Sequence, residues 1–121
     1  MRYACLIYFD PGKVFGQSAE AEAVLGGSGA YNNELKASGH LVVDQALQLP
    51  DRAMTVRVRD GKMSATDGPF METKEVLGGF ILIEAQDMAE AVRIAAGIPL
   101  ARLGSVEVRP AVDYSKPRPK L

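Results

Sequence analysis

One cysteine and one histidine are all the chain holds of the residues most often recruited for disulfides and transition metals. A lone cysteine cannot close an internal disulfide, so the sequence reads as that of a protein from a reducing compartment, the cytoplasm. Cys5 lies inside the apolar run Ala4-Cys5-Leu6-Ile7. A buried, inert thiol is expected there rather than a reactive one, because reactivity needs exposure and a lowered pKa. With one histidine, one buried thiol and no helix-spaced ligand pair, the sequence predicts no metal site and no cofactor. An excess of one charge is also missing: 14 basic against 15 acidic side chains leave a net charge of −1. No global basic field, and no basic stripe with interleaved aromatics, is available to attract nucleic acid or anionic membranes. No apolar stretch approaches the roughly 20 residues of a membrane span. The chain starts on strand-like sequence with no apolar leader, so a secretion signal is not expected.

What is present suits a globular domain. At 121 residues, with 47% hydrophobic and 24% charged side chains, the chain is too apolar and too nearly neutral for disorder, and its length fits one domain.

Residues 2–8 read as a first strand, apolar enough to suggest burial on both faces, and Asp10-Pro11-Gly12 ends it. Ser18 is a helix cap, but Gly26-Gly27-Ser28-Gly29 predicts a break, because each helical glycine costs about 1 kcal/mol. A second helical segment restarts near Ala30 and stops at Gly39, a suitable C′ residue. Residues 40–47 are the next strand. Met54 to Arg59 alternates, with Met54, Val56 and Val58 on one face, which predicts a half-buried antiparallel strand. Asp60-Gly61 is a strong hairpin signal, residues 62–66 return, and Asp67-Gly68-Pro69 is a further turn. Phe80-Ile81-Leu82-Ile83 predicts a strand central in its sheet. Asp87 and Glu90 form a capping-box pair opening a helix with the apolar stripe Met88, Ala91, Val92, Ala95 and Ala96. Ser105 to Pro110 is the last strand, and Lys116 to Lys120 is a Pro-rich basic tail.

The order is β-α-β, a hairpin, then β-α-β. It predicts an α+β fold of ferredoxin-like type, with helices on one face of a mostly antiparallel sheet. The other face still carries Phe80, Leu82 and part of the first strand. A sheet apolar on both sides with helices on one needs a second cover, so face-to-face packing in a homodimer is expected.

The stretch DGPFMETKEVLGGF, Asp67 to Phe80, resembles the hallmark of the DGPF, or YCII-related, domain family. MRYACLIYFD, YNNELKASGHLV, TVRVRDGK and IPLARLGSVEVRP are similar to the same family in the same order. The resemblance spans residues 1–112, leaving 113–121 as the tail. It implies a ferredoxin-like fold of the dimeric α/β-barrel type and an association with sigma factors of the extracytoplasmic-function class, with no assigned biochemical role. The broader group carries a candidate catalytic His-Asp pair with the histidine on the first helix. Here Tyr31 stands where that histidine is expected, and His40 lies past the helix.

Candidate site residues each have a functional and a structural reading. Asp67, Glu72, Thr73, Lys74 and Glu75 could form a polar lip over a cleft. They could equally be turn and solvent-facing residues, with Phe70 anchoring the loop in the core. His40 could be a general base, but Asp44 is four strand residues away, about 13 Å, so a partner must come from elsewhere. Arg57, Arg59 and Arg109 could grip an anion, or form cross-strand pairs with Glu84 or Glu107. The glycine cluster lacks the features of a phosphate loop and reads as a helix joint.

Three functions follow. The first is a non-catalytic small-molecule-binding or regulatory homodimer, with ligand contacts from Tyr8, Arg57, Asp67, Glu72 and Lys74. The second is an enzyme using Asp67 or Glu72 as a base in a dimer cleft, with His40 a further candidate. The third is an interaction module for a sigma factor, working through the exposed loop or the basic tail.

Overall fold

Alternation decides which side of the first strand meets the helices. In the computed structural model, which describes residues 1–117, β1 (Arg2–Phe9) buries Tyr3, Cys5, Ile7 and Phe9 and leaves Ala4, Leu6 and Tyr8 half-buried on the opposite face. Asp10 caps a single helical turn, α1 (Pro11–Val14), its carboxylate accepting from the Gly12 amide at 2.9 Å. The remaining elements are α2 (Ala19–Ala37), β2 (Leu41–Ala46), β3 (Met54–Arg59), β4 (Lys62–Asp67), β5 (Val76–Glu84), α3 (Met88–Ala96) and β6 (Gly104–Pro110). Short 3₁₀ turns occur at Pro50–Arg52 and Pro99–Arg102.

Four strands form one sheet in the order β2-β5-β1-β6, with all three pairings antiparallel. β1 and β2 flank β5, and β5 and β6 flank β1, so each helical crossover skips one strand. This is the ferredoxin-like arrangement. The apolar run of β5 takes the interior position that its sequence predicts. The core lies between the sheet and the helices and joins Tyr3, Cys5, Ile7, Ile81 and Ile83 to Leu35 of α2, Ala91, Ile94 and Ala95 of α3, and Ile98. A second apolar group forms where Phe9 meets Phe15 edge-on, with ring centroids 5.9 Å apart. Gly78 makes this possible, since a Cβ there would fall 1.8 Å from the Phe9 ring.

The predicted break at Gly26–Gly29 is not found: α2 runs unbroken for 19 residues. Ser18 caps it, its hydroxyl oxygen accepting from Ala21 N at 3.0 Å, and Ala21, Val24 and Leu35 are buried on one side. Packing at both ends of the cluster outweighs the local cost of the glycines. The helix stops at Gly39 (φ 81°) in a Schellman turn, where His40 N donates to Leu35 O at 2.9 Å and Gly39 N to Lys36 O at 3.2 Å. Nothing lies within 4 Å of a Cβ built at Gly26 or Gly29. Gly26→Ala and Gly29→Ala should therefore each stabilise the fold by about 1 kcal/mol, read as a rise in the urea midpoint.

Three further expectations are corrected. The α3 stripe is shifted from the predicted one: Ala91 and Ala95 are buried and Ile94 joins them, while Met88, Val92 and Ala96 are exposed. β1 is fully buried on one face only, because nothing among the described residues covers the other. The β3–β4 hairpin turns at Asp60-Gly61 (φ 53° and 74°) as its sequence predicts, but it forms a separate two-stranded sheet. With no layer over it among the described residues, Met54, Val56 and Val58 stay 59–62% exposed rather than half-buried, and Met63 of β4 is exposed too. The tail is described only to Pro117, and residues 118–121 lie outside the described residues.

Cys5 is completely buried, and burial pushes its thiol up to about 11 from 9.0. The folded thiol therefore stays protonated at pH values where the unfolded one ionises. Its contribution to stability is complete below about pH 9 and declines as pH rises toward 11. Native protein at pH 8 should resist a thiol reagent that labels the urea-unfolded chain within minutes.

Candidate functional site

A large opening sits where the sheet meets the base of the hairpin. Tyr8 closes one end, on the uncovered face of β1 opposite Leu77 of β5 and Ser105 of β6. The chain leaving β2 supplies Leu47, Gln48 and Pro50, the start of β3 supplies Met54 and Thr55, and the loop from Pro69 to Leu77 supplies the far wall. Its volume is about 600 Å³, within the range of small-molecule sites.

The loop is shaped by backbone demands. Gly68 adopts φ 96°, a conformation that side chains disfavour, and its N–H donates to Ala53 O at 2.8 Å. Thr55 Oγ1 donates to Gly68 O at 2.9 Å, which ties the DGPF turn to the hairpin base. Pro69 follows and fixes the exit direction. Further along, Thr73 Oγ1 donates to Glu75 O, and Ser105 Oγ donates to Glu75 Oε1 at 2.9 Å. Glu75 is thus held between the loop and β6, at the inner end of the cavity beside Tyr8.

Of the residues singled out by sequence, Tyr8 lines this cavity, as do Thr73 and Glu75 of the polar cluster. Asp67 ends β4 opposite Met54, and Glu72 and Lys74 are exposed on the loop; these three flank the opening without lining it. Arg57 lies mid-hairpin opposite Ser64, exposed. Phe70 does not anchor the loop in the core: it is 74% exposed and forms part of the cavity wall. His40 is at the other end of the sheet, beside Glu84, which pairs with Arg2. Its Nδ1 lies 2.9 Å from Glu84 O and 3.9 Å from Glu90 Oε1, so the partner that Asp44 could not be comes from α3. Arg2 pairs with Glu84, and its hydrogen bond is the chief cause that draws the Glu84 carboxyl below the usual carboxylate range. Arg109 pairs with Glu107 two residues back on its own strand rather than across strands.

A smaller hollow of about 150 Å³ lies under α2, lined in part by Ser28, Asn32, Asp44 and Gly79. Tyr31 does not reach an aspartate there. Its hydroxyl donates to Ile94 O at 2.6 Å and ties α2 to α3, and burial raises its pKa, with Glu34 adding to the rise. The polar pair between the first long helix and the second strand is formed one residue on, with Asn32 Nδ2 donating to Asp44 Oδ2 at 2.8 Å. An amide does not titrate, so this pair cannot shuttle a proton as a histidine–aspartate pair would.

Sequence reasoning missed the cavity walls, Met54, Met71 and Leu77 among them. Their apolar character is visible in the sequence, but the hairpin's position over the end of the sheet is not.

The fold defines a ferredoxin-like α+β protein with one helical layer and a hairpin standing beside the sheet. The model of the YCII-related domain matches residues 1–115, and the chain belongs to that family. An uncharacterized protein of Rhizobium meliloti (strain 1021) is 36% identical over 117 residues, covering 94% of each chain. Among solved structures, the 5-chloro-2-hydroxyhydroquinone dehydrochlorinase of Burkholderia phenoliruptrix AC1100, in complex with 2,5-dihydroxybenzoquinone, shares the fold. Its TM-score is 0.56 at 17% identity, over 95% of this chain and 97% of that one.

Proposed function

We propose that this protein is a non-catalytic binding protein for a small ring compound, held in the cavity at the hairpin base, and that it works as a homodimer. The observation that carries the reading is the cavity itself: about 600 Å³, walled by Leu47, Pro50, Met54, Phe70, Met71 and Leu77, with polar groups confined to a few positions. Mostly apolar walls with a few placed polar atoms are the usual make-up of a ligand site. A neighbour of the same fold, a dehydrochlorinase, was solved in complex with 2,5-dihydroxybenzoquinone, a small ring compound.

Acid–base catalysis draws less support. The bases that sequence suggested, Asp67, Glu72 and His40, do not line the cavity. Glu75 does, with Ser105 Oγ donating to its Oε1, but among the described residues no second carboxylate and no imidazole lines the cavity to share a proton with it. The sigma-factor association that the resemblance implies rests on nothing in this site and forms no part of the reading.

The dimer follows from the uncovered sheet face. Ala4, Leu6 and Tyr8 of β1 and Phe80 and Leu82 of β5 share that face and are only half-buried within one chain. Two such faces packed together would remove this surface from water and would bring the partner against Tyr8.

A thermal-shift panel of hydroxylated and amino-substituted ring compounds tests the binding reading. A ligand at a hundredfold excess over its Kd stabilises the folded state by about 2.7 kcal/mol, a rise in Tm on the order of 10 °C for a domain of this size. A broad panel that leaves Tm unmoved rejects a binding role for the cavity.

A further inference from the structure

We propose that the cavity selects ring compounds that donate hydrogen bonds, through a hydroxyl or an ammonium group, and discriminates against carboxylates and other anions. The inference rests on the cavity being the ligand site, and it adds the chemistry that site recognises.

The reasoning is an inventory of which hydrogens are already spent. A threonine hydroxyl has one hydrogen to give and lone pairs to receive. Thr55 gives its hydrogen to Gly68 O, and Thr73 gives its own to Glu75 O. Toward the cavity both oxygens can only accept. Glu75, the one charged residue on the lining among the described residues, accepts from Ser105 Oγ through Oε1 and keeps Oε2 for a further donor. Tyr8 and Gln48 can play either part. Every side-chain polar group on the lining whose direction the fold has fixed is therefore an acceptor, and the only side-chain charge there among the described residues is negative. A ligand that offers only acceptors would leave these oxygens facing its own, with their water removed and nothing gained in return. A carboxylate would also meet Glu75 charge against charge. A hydroxyl or ammonium satisfies the same oxygens, and charge-assisted bonds to a carboxylate are the stronger kind. The walls suit a flat body: Met54 and Met71 are flexible thioethers that pack well against ring edges, and Phe70 offers an aromatic face.

The test uses full-length protein carrying ¹³C-methyl methionine. Met54 and Met71 line the cavity, whereas Met63 and Met88 lie outside it and report on the rest of the fold. Four probes share one ring and differ in the head group: benzylamine, benzyl alcohol, acetophenone and benzoate. Benzylamine and benzyl alcohol should move the Met54 and Met71 methyl signals at concentrations at least tenfold lower than acetophenone or benzoate requires. Glu75→Gln, which keeps an acceptor for Ser105, should weaken benzylamine about tenfold and leave benzyl alcohol within twofold. Unmoved Met63 and Met88 signals confirm that the variant is folded. If benzoate or acetophenone binds as tightly as the donors, or if benzylamine is indifferent to Glu75→Gln, the donor preference is wrong while the cavity remains a ligand site. If no probe moves Met54 or Met71, the cavity reading falls and the preference with it.

Discussion

Ile83→Ala should lower the unfolding free energy by about 2–5 kcal/mol, enough to remove much of a small domain's stability. Ile83 has no exposed surface. It sits on the helix face of β5, paired with Tyr3 of β1 on one side and Leu41 of β2 on the other. Truncation leaves a void between two strands whose backbones are fixed by ladder hydrogen bonds, so the walls can relax only partly. The helices above are tied by the Tyr31 bond to Ile94 O and cannot drop in to fill it. The measurement is a urea titration followed by far-UV circular dichroism, with an unchanged m-value showing that the same surface unfolds. A loss under 1 kcal/mol would mean that this stretch of the core collapses freely, contrary to its position between two paired neighbours. Leu82→Ala, one residue along on the uncovered face, is the matched control and should cost the isolated chain less.

Leu6→Glu should split the proposed dimer while leaving the subunit folded. Leu6 pairs with Phe80 on one side and Glu107 on the other, in the middle of the uncovered face. Within one chain it is only half-buried, so a carboxylate there can still reach water. Pressed against a second copy it would be desolvated, with Glu107 beside it adding repulsion rather than relief. The dissociation constant should rise at least a hundredfold, equivalent to about 2.7 kcal/mol of lost association energy. Sedimentation velocity at micromolar concentration would give dimer for the wild type and monomer for the variant, with the same circular dichroism spectrum. Wild-type protein that sediments as a monomer across that range, or a variant that associates as strongly as the wild type, removes the dimer from the proposal.

Much of the architecture was legible before any coordinates. Period-two alternation located β3, the Asp60-Gly61 pair located its turn, and the continuous apolar run of Phe80 to Ile83 marked an interior strand. Those signals are local: each depends on residues a few positions apart, and the backbone geometry they require is nearly unique. α2 departs from the local expectation because the cost of its glycines is also local, whereas the contacts that overrule it, from Tyr31 and Leu35 to the sheet and α3, come from elsewhere in the chain. The site was legible in part. Tyr8, Thr73 and Glu75 stood out as candidates, but so did Asp67, Glu72, Lys74, Arg57 and His40, which the fold distributes along the loop rim, the mid-hairpin and the opposite end of the sheet.

The sequence by itself determined the strand order's raw material, the inert thiol of Cys5, the turn at Gly68 and membership of the YCII-related family, since each follows from side-chain period, local backbone freedom or a contiguous motif. Only the tertiary structure decided that the hairpin stands apart from the main sheet, that Asn32 rather than Tyr31 meets Asp44, and that Glu75 turns toward Ser105 beside an apolar hollow. The reason is distance along the chain. Thirty residues separate Glu75 from Ser105, and what brings them together is the packing of a whole sheet rather than any preference written in the segments themselves.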